Sequence, residues 1–454
     1  MTSLLTACPM LIHIATASGA AEREMPLGAT LSPWSVTPFV LMLGCIAVLP
    51  LVTPHWWHHN RNRALVSLAL GAPVAIWIGM LDLHLLGHTL HEYAAFIILL
   101  GSLFVISGGV VVRCGFAATP LVNTLFILSG TILASFIGTT GASMVLIRPL
   151  LRANAQRQRR VHVVVFFIFL VSNIGGLLTP LGDPPLFLGF LRGVPFAWTL
   201  RLTPEWATLA TMVLALFYAV DTFLARRETQ PNPQPEAASA SPSPRLVMAG
   251  KRNLLLLGGV VAIIYLSGQL KPPLGVQELG MIAMAVLSLW LTPSKLHREN
   301  GFSWEPIVEV VVVFAGIFAT MMPTLAVLNA RGSELGISQP WQFFWTTGLL
   351  SSFLDNAPTY LAFTATASGL LGVDGTNLSE LLGAPGGPAL LEAISLGAVF
   401  MGANTYIGNG PNFMVKAIAE QNKVRMPSFF GYMLYSMAIL IPAFVIMTVL
   451  FLLP

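Results

Sequence analysis

Two aspartates lie inside long apolar stretches of this sequence, where a charged side chain is energetically costly. Asp183 ends the run Thr-Pro-Leu-Gly-Asp before two prolines, and Asp355 lies in the run Ser-Phe-Leu-Asp-Asn-Ala-Pro-Thr. Ionisable residues at membrane depth are rare and usually serve ion pathways or proton relays. Burial disfavours the ionised form of a carboxyl group, which makes exchange of a bound proton for a metal cation feasible. Asp183 and Asp355 are therefore the candidate sodium ligands and proton carriers.

Side chains with neutral oxygen atoms cluster near both aspartates and in a third polar run, from Gly402 to Asn412. Hard cations prefer oxygen ligands, whereas amide N–H groups and helix N-termini suit a carboxylate or another anion. The candidate ligands besides the two aspartates are Thr139, Thr140, Asn173, Thr179, Asn356, Thr359, Asn404, Thr405 and Asn409. These residue types suit either a cation or an organic anion.

Each motif also has a purely structural interpretation. In that interpretation, Asp183 caps a helix that begins in a loop at the membrane surface, and Asp355 caps an ordinary turn. Asp and Asn are common at helix N-termini. Lys416, one turn beyond Asn412, is either a counter-charge to an aspartate or a side chain that reaches the cytoplasmic interface. Apolar sequence on both sides of each aspartate favours a functional position inside the membrane.

Other ionisable side chains are expected near the membrane boundaries. Glu92 and Glu309 each come at the predicted start of a third span. His84, His88 and His91 have helical spacing, but we expect them in a short external loop. A metal site at the three histidines is the less favoured alternative.

The composition places most of this chain in a lipid bilayer. Of its 454 residues, 55% are apolar and 9% are charged, with a mean hydropathy of +0.77. Soluble domains carry about 25% charged residues. The net charge of +4 therefore reports membrane orientation, and no nucleic-acid partner is expected. Cys8, Cys45 and Cys114 are too far apart in sequence to indicate a disulfide framework or a metal cluster.

Twelve apolar stretches follow one another along the chain. They lie at 36–53, 65–86, 93–113, 119–151, 161–191, 205–225, 253–270, 276–292, 305–329, 341–371, 389–421 and 427–453. Two of these, 119–151 and 341–371, are too long for one span of about 20 residues and too short for two, which predicts hairpins. Gly, Pro and Asn clusters interrupt 161–191 and 389–421, which predicts broken helices that line a cavity.

Positive residues in short loops predict the orientation of these segments. Arg and Lys are concentrated at 54–64, 152–160, 226–252 and 293–304, which should be cytoplasmic. The stretch 119–151 then leaves the membrane on the face it entered, and 341–371 does so on the opposite face. The two halves share one order of elements with opposite topology, which is the inverted repeat of secondary transporters.

A weak sequence match supports this repeat. Residues 179–187 align with 405–413, and four of the nine positions are identical. The predicted fold is an all-α polytopic membrane protein with two re-entrant hairpins and two broken helices. Its units are an N-terminal segment at 1–35 (a signal peptide or an external segment), a first repeat at 36–225, a disordered cytoplasmic linker at 226–252 and a second repeat at 253–454.

Three motifs resemble those of the ion transporter superfamily. They are Asn173-Ile-Gly-Gly…Thr179-Pro-Leu-Gly-Asp183, the run from Phe314 to Pro323, and Ser352-Phe-Leu-Asp355-Asn356-Ala-Pro-Thr359. That superfamily includes sodium-coupled dicarboxylate symporters, citrate–metal symporters, arsenite pump subunits and D-type bacterial sodium/proton antiporters. The motif order is most similar to the D-type antiporters and to a related group of sodium/proton antiporters and citrate transporters.

The resemblance covers about residues 36–453. It implies a scaffold domain, an elevator-like transport domain, a homodimer and a bacterial-type inner (plasma) membrane. The dicarboxylate symporters carry Ser-Asn-Thr at both hairpin tips, whereas this chain has Gly138-Thr139-Thr140 and Asp355-Asn356. The additional carboxylate favours a cation or a proton as cargo.

The sequence therefore predicts a secondary active transporter, a sodium/proton antiporter that works by alternating access. Its expected partners are the bilayer and a small ion or organic anion, and no cofactor is expected beyond the transported Na⁺ and H⁺. The alternative is cation-coupled symport of an organic anion such as citrate. An enzyme is not expected, because the spans contain no Ser/His/Asp arrangement, no His-Glu-x-x-His motif and no phosphate-binding glycine loop.

Overall fold

The computed structural model describes residues 27–113, 118–228 and 247–453. Cys8, Cys114, most of the predicted N-terminal segment and residues 229–246 of the predicted linker lie outside the described residues. In the described part, almost all regular structure is helical.

The described part of the first half contains ten α-helices. They are α1 (Leu27–Thr30), α2 (Thr37–Val52), α3 (Pro54–Trp57), α4 (Asn60–Leu81), α5 (Leu83–Gly108), α6 (Pro120–Ile137), α7 (Thr139–Ala153), α8 (Val161–Leu170), α9 (Pro184–Leu191) and α10 (Thr203–Arg227). Short 3-10 helices cover Pro33–Val36, Ile174–Leu177 and Phe196–Leu202.

Ten more α-helices follow in the described part of the second half. They are α11 (Lys251–Leu270), α12 (Val276–Leu291), α13 (Ser294–Glu299), α14 (Glu305–Arg331), α15 (Pro340–Ser351), α16 (Asn356–Leu371), α17 (Leu378–Gly383), α18 (Gly387–Met401), α19 (Gly410–Gln421) and α20 (Phe429–Met447). Gly332–Leu335 and Gly402–Asn404 form 3-10 helices, and Thr448–Leu452 forms a π-helix.

Eight helical segments of the described chain have the length and composition of membrane spans. They are Pro33–Val52, Asn60–Leu81, Leu83–Gly108, Pro120–Ile137, Phe196–Arg227, Lys251–Leu270, Glu305–Leu335 and Phe429–Leu452. Two shorter apolar helical segments, Val161–Leu177 and Val276–Leu291, add to them. The prediction of an all-α polytopic membrane protein is confirmed.

Two short strands connect the regions on either side of the predicted linker. β1 (Val111–Arg113) pairs in antiparallel fashion with β2 (Val247–Ala249). Arg113 donates hydrogen bonds of 2.8 and 2.7 Å to the carboxylate of Glu299, and these bonds hold the pKa of Glu299 below its ordinary value. The ends of the predicted linker at 226–228 and 247–252 thus belong largely to α10, β2 and α11.

The predicted long stretches are each divided into two helices. Gly138 separates α6 from α7 with a φ of +80°, a conformation that glycine adopts without steric cost. Residues 352–355 separate α15 from α16. Irregular segments at 171–183 and 402–409, each with one short 3-10 helix, separate α8 from α9 and α18 from α19.

One predicted boundary is wrong by ten residues. α5 begins at Leu83 instead of 93, because Asp82 caps it by accepting a 2.9 Å hydrogen bond from the Leu85 amide. The three histidines predicted in an external loop, His84, His88 and His91, therefore lie on this helix. Glu92 lies well inside α5 and is 2% exposed, so its predicted place at the start of the third span is also wrong.

The helices pack in two groups. In the first group, α14 contacts α2, α4 and α5, and α5 also contacts α11 and α12. In the second, α18 contacts α15 and α16, α19 contacts α7 and α8, and α6 contacts α7 and α10. The groups meet where α14 packs on α16 and where α5 packs on α7 and α9.

A buried polar cluster connects the first turn of α6 and the segment after α7 to α8 and α10. Asp221 on α10 is fully buried and accepts hydrogen bonds from Arg157, from His162 at 2.8 Å and from Asn123 at 3.0 Å. Asn123 and Asn154 also bond each other at 2.9 and 3.1 Å. One carboxylate thus fixes three segments of the second group.

Replacing Asp221 tests the importance of this cluster for stability. Asp221→Ala leaves a buried guanidinium without its main acceptor, and removing one partner of a buried pair costs about 3–5 kcal/mol. We expect a clear fall in the melting temperature of the detergent-solubilised protein. The exposed pair Lys416–Glu420 provides the control, because Glu420→Ala should change stability by less than about 1 kcal/mol. Equal melting temperatures for the two variants would contradict this role.

Candidate ion-binding site

Asp183 is buried at the break between α8 and α9. It occupies the N-cap position of α9, and Pro184 and Pro185 begin that helix, where proline is tolerated because the first N–H groups have no helical partner. The side chain is 1% exposed and makes no capping hydrogen bond to α9. The alternative of a capped surface loop is therefore wrong for Asp183.

Three neutral side chains from other elements donate hydrogen bonds to this carboxylate. The Thr139 hydroxyl donates to Oδ1 at 3.0 Å, and the Asn409 amide donates to the same atom at 3.2 Å. The Asn356 amide donates to Oδ2. Hydrogen bonds of this kind favour the charged form of a carboxyl group. In the described part of the chain, no Lys or Arg forms an ion pair with Asp183.

Four helices begin at this site. Thr139 and Asn356 are the first residues of α7 and α16, Asp183 precedes α9, and Asn409 precedes α19. A helix N-terminus carries a partial positive charge. Four such termini near one carboxylate favour its negative charge.

Asn356 also brings an unpaired oxygen to the site. Its side chain is fully buried, and its Oδ1 has no hydrogen-bond partner among the described residues. A buried acceptor without a partner costs free energy. Since this oxygen belongs to the amide that contacts Asp183, it is suited to coordinate a cation or to accept a hydrogen bond from the protonated carboxyl group.

Asn173 belongs to the same network one step away. It accepts a 3.2 Å hydrogen bond from Asn409 and donates one of 2.7 Å to Asn412. Asn412 donates in turn to the backbone carbonyls of Gly402 and Thr405, both at 2.9 Å. Asn173 and Asn412 therefore orient Asn409, and sequence reasoning did not include Asn412 among the candidate ligands.

Two predicted threonines connect the helix pairs to the broken helices. The Thr179 hydroxyl donates to the Ser135 carbonyl, and the Thr405 hydroxyl donates to the Ser352 carbonyl. The two serines donate back, Ser135 to the Gly175 carbonyl at 2.5 Å and Ser352 to the Met401 carbonyl at 3.1 Å. The same set of contacts thus occurs once in each half, in the register of the sequence alignment.

The remaining predicted residues do not contact Asp183 by hydrogen bonds. Asp355 is half-buried and caps α16 by accepting a 3.1 Å bond from the Ala357 amide. Thr359 donates to the Asp355 carbonyl at 2.9 Å, and Asn404 donates to the Ser352 hydroxyl at 2.9 Å. The structure therefore joins Asn356, and not its neighbour Asp355, to Asp183.

A cavity of ≈ 80 Å³ adjoins the carboxylate. Phe96 and Leu103 of α5, Thr140 of α7, Phe187 of α9 and Ile307 of α14 are among the residues that line it. Among the described lining residues, Asp183 alone carries a charge. The cavity is thus an apolar space with one acidic end, between the two groups of helices.

Lys416 and Arg192 each form an ion pair with a glutamate and not with either aspartate. Lys416 pairs with Glu420 at 3.2 Å and lies 5.4 Å from the centre of the Tyr406 ring, so it is not a counter-charge to either aspartate. Arg192, which sequence reasoning did not single out, forms a buried ion pair with Glu92. A contact between residues a hundred positions apart has no local signal in one sequence.

Comparisons with known proteins agree with a membrane transporter. An uncharacterized transporter of Synechocystis sp. is 24% identical over 307 residues, which cover 62% of this chain and 65% of that protein. A 46 kDa membrane protein of Mycobacterium leprae is 26% identical over 261 residues, which cover 55% of this chain and 58% of that protein. The chain thus spans less than two thirds of the length of either relative.

A family model described as "Putative citrate transport" matches residues 28–452. The match includes both helix pairs, both broken helices and every residue around Asp183. The match agrees with the prediction of a transporter. The protein belongs to this citrate transport family.

Proposed function

We propose that this protein is a secondary transporter that exchanges sodium ions for protons, and that Asp183 binds the two in turn. One observation carries the proposal: a carboxylate that is 1% exposed is held by neutral donors beside an apolar cavity. A buried negative charge of this kind attracts a small cation, and protonation offers the other way to neutralise it.

The Asn356 amide suits both bound forms. Its Nδ2 donates to the ionised carboxylate, while its Oδ1 is unpaired. Rotation of the amide by half a turn presents Oδ1 instead, which accepts a hydrogen bond from a protonated carboxyl or coordinates sodium, since an amide has both a donor and an acceptor end. Thr139 adds a hydroxyl oxygen to the same ion.

The paired contacts of the two halves support an inverted repeat. In the shared register Thr139 corresponds to Asn356, and Asp183 corresponds to Asn409, so each half contributes one hairpin residue and one broken-helix residue to the site. Alternating access then exposes this site to one side at a time. We propose that the helices around α14 form the scaffold of a homodimer in a bacterial-type plasma membrane, with the predicted linker on the cytoplasmic side.

Removing the central carboxylate tests the proposal most simply. In proteoliposomes with an imposed pH gradient, Asp183→Asn should reduce sodium-driven proton movement to the level of empty vesicles, because an amide neither binds a proton nor neutralises sodium. Asp355→Asn should lower the rate and leave exchange measurable, because Asp355 caps α16 and makes no hydrogen bond to Asp183. Glu334→Gln, at an exposed position, is the control for loss of a negative charge. Exchange at the wild-type rate by Asp183→Asn would refute the proposal.

A second prediction concerns the unpaired amide oxygen. Asn356→Ala removes a ligand and a hydrogen bond to a charged group, which is worth about 1.5–3 kcal/mol, so the sodium concentration for half-maximal exchange should rise about 10- to 100-fold. Thr359→Ala is the matched control on the same helix, because its hydroxyl bonds the Asp355 carbonyl. Equal sodium dependence in the two variants would exclude Asn356 as a ligand.

Cation-coupled transport of citrate is the second candidate, and the family match favours it. Among the described residues that line the cavity no Lys or Arg occurs, so an organic anion would enter together with cations that offset its charge. Uptake of labelled citrate that requires sodium or a divalent metal, without sodium/proton exchange in the absence of citrate, would replace the first proposal by this one.

A further inference from the structure

A buried ion pair joins the two groups of helices beside the cavity. Arg192, directly after α9, donates to both carboxylate oxygens of Glu92 on α5, at 2.8 and 2.9 Å. The residues are 8% and 2% exposed. Paired, parallel hydrogen bonds of this kind are the strongest and most specific form of an arginine–carboxylate contact.

The pair lies at one end of the cavity that contains Asp183. Glu92, Phe96 and Leu103 share one face of α5, because their spacings of four and seven residues return to the same side of a helix. Phe96 and Leu103 line the cavity. On α9, Asp183 and Phe187 line it as well, and Arg192 follows at the far end of that helix. The ion pair therefore bridges α5 and α9 one turn beyond the cavity.

Each partner is anchored in its own group. Glu92 belongs to α5, which packs on α11, α12 and α14. The Arg192 carbonyl accepts a 2.7 Å hydrogen bond from the amide of Leu378, the first residue of α17. In addition, α9 packs on α16 and α18. A movement of one group past the other therefore has to separate the two charges.

We propose that Glu92 and Arg192 form a latch. This latch closes the Asp183 cavity at the C-terminal end of α9 and must open in each transport cycle. This inference rests on the proposed alternating access. A buried ion pair is stable in one geometry and leaves two desolvated charges when it is pulled apart. The latch therefore holds the closed arrangement until both charges reach water or new partners.

Reversible cross-linking tests the latch directly. Glu92→Cys/Arg192→Cys, in a chain whose Cys8, Cys45 and Cys114 are replaced by serine, should exchange sodium for protons in proteoliposomes. A short bis-methanethiosulfonate reagent should stop that exchange, and dithiothreitol should restore it. Lys416→Cys/Glu420→Cys is the matched control, because that ion pair lies within one helix, and its cross-link should leave exchange unchanged. Exchange by the cross-linked Glu92→Cys/Arg192→Cys protein at its uncross-linked rate would overturn the latch and leave the role of Asp183 standing.

A second measurement does not depend on transport. With Leu100→Cys as a reporter in the cavity lining, a membrane-impermeant maleimide should label the Glu92→Gln protein about tenfold faster than the protein with Glu92 intact, because the closed state loses its ion pair. Equal labelling rates in purified, folded protein would show that the pair does not keep the cavity closed.

Discussion

The burial of one carboxylate, with no cationic partner in the described part of the chain, is the constraint on which this architecture depends. Asp183 is removed from water, and three side-chain hydrogen bonds replace its hydration where four helices begin. A continuous helix offers no free N-terminus in its interior, because its N–H groups are hydrogen-bonded within the helix. Two helix pairs and two broken helices bring free helix ends to the middle of the protein.

Close packing of irregular backbone makes this arrangement feasible. A Cβ at Gly182 would lie 2.1 Å from the Gly176 carbonyl oxygen, and one at Gly408 would lie 2.7 Å from that of Gly402. These positions correspond in the two halves, as do the Thr179–Ser135 and Thr405–Ser352 contacts. The contacts that the two halves share surround a site that is not symmetric, because the residue that corresponds to Asp183 in the second half is Asn409. The site thus has one negative charge within an otherwise symmetric polar frame.

The sequence was a good guide to the spans, the breaks and the burial of Asp183, because hydropathy, proline and glycine act locally. It did not distinguish Asn356 from Asp355 as the partner of Asp183, since adjacent residues at a helix start differ only in the direction of their side chains. The start of α5 was misplaced because Asp82 and the three histidines lower the local hydropathy, although Asp82 caps the helix that begins there. The Glu92–Arg192 pair could not be predicted, because it depends on the packing of helices distant in sequence.

Proton release on sodium binding directly measures the proposed competition of sodium and a proton for Asp183. In weakly buffered detergent solution with a pH-sensitive dye, sodium chloride should release protons from the wild-type protein, whereas choline chloride at equal ionic strength should not. Asp183→Asn should release none, and Glu334→Gln should behave as wild type. Proton release by Asp183→Asn equal to that of the wild type would contradict the account.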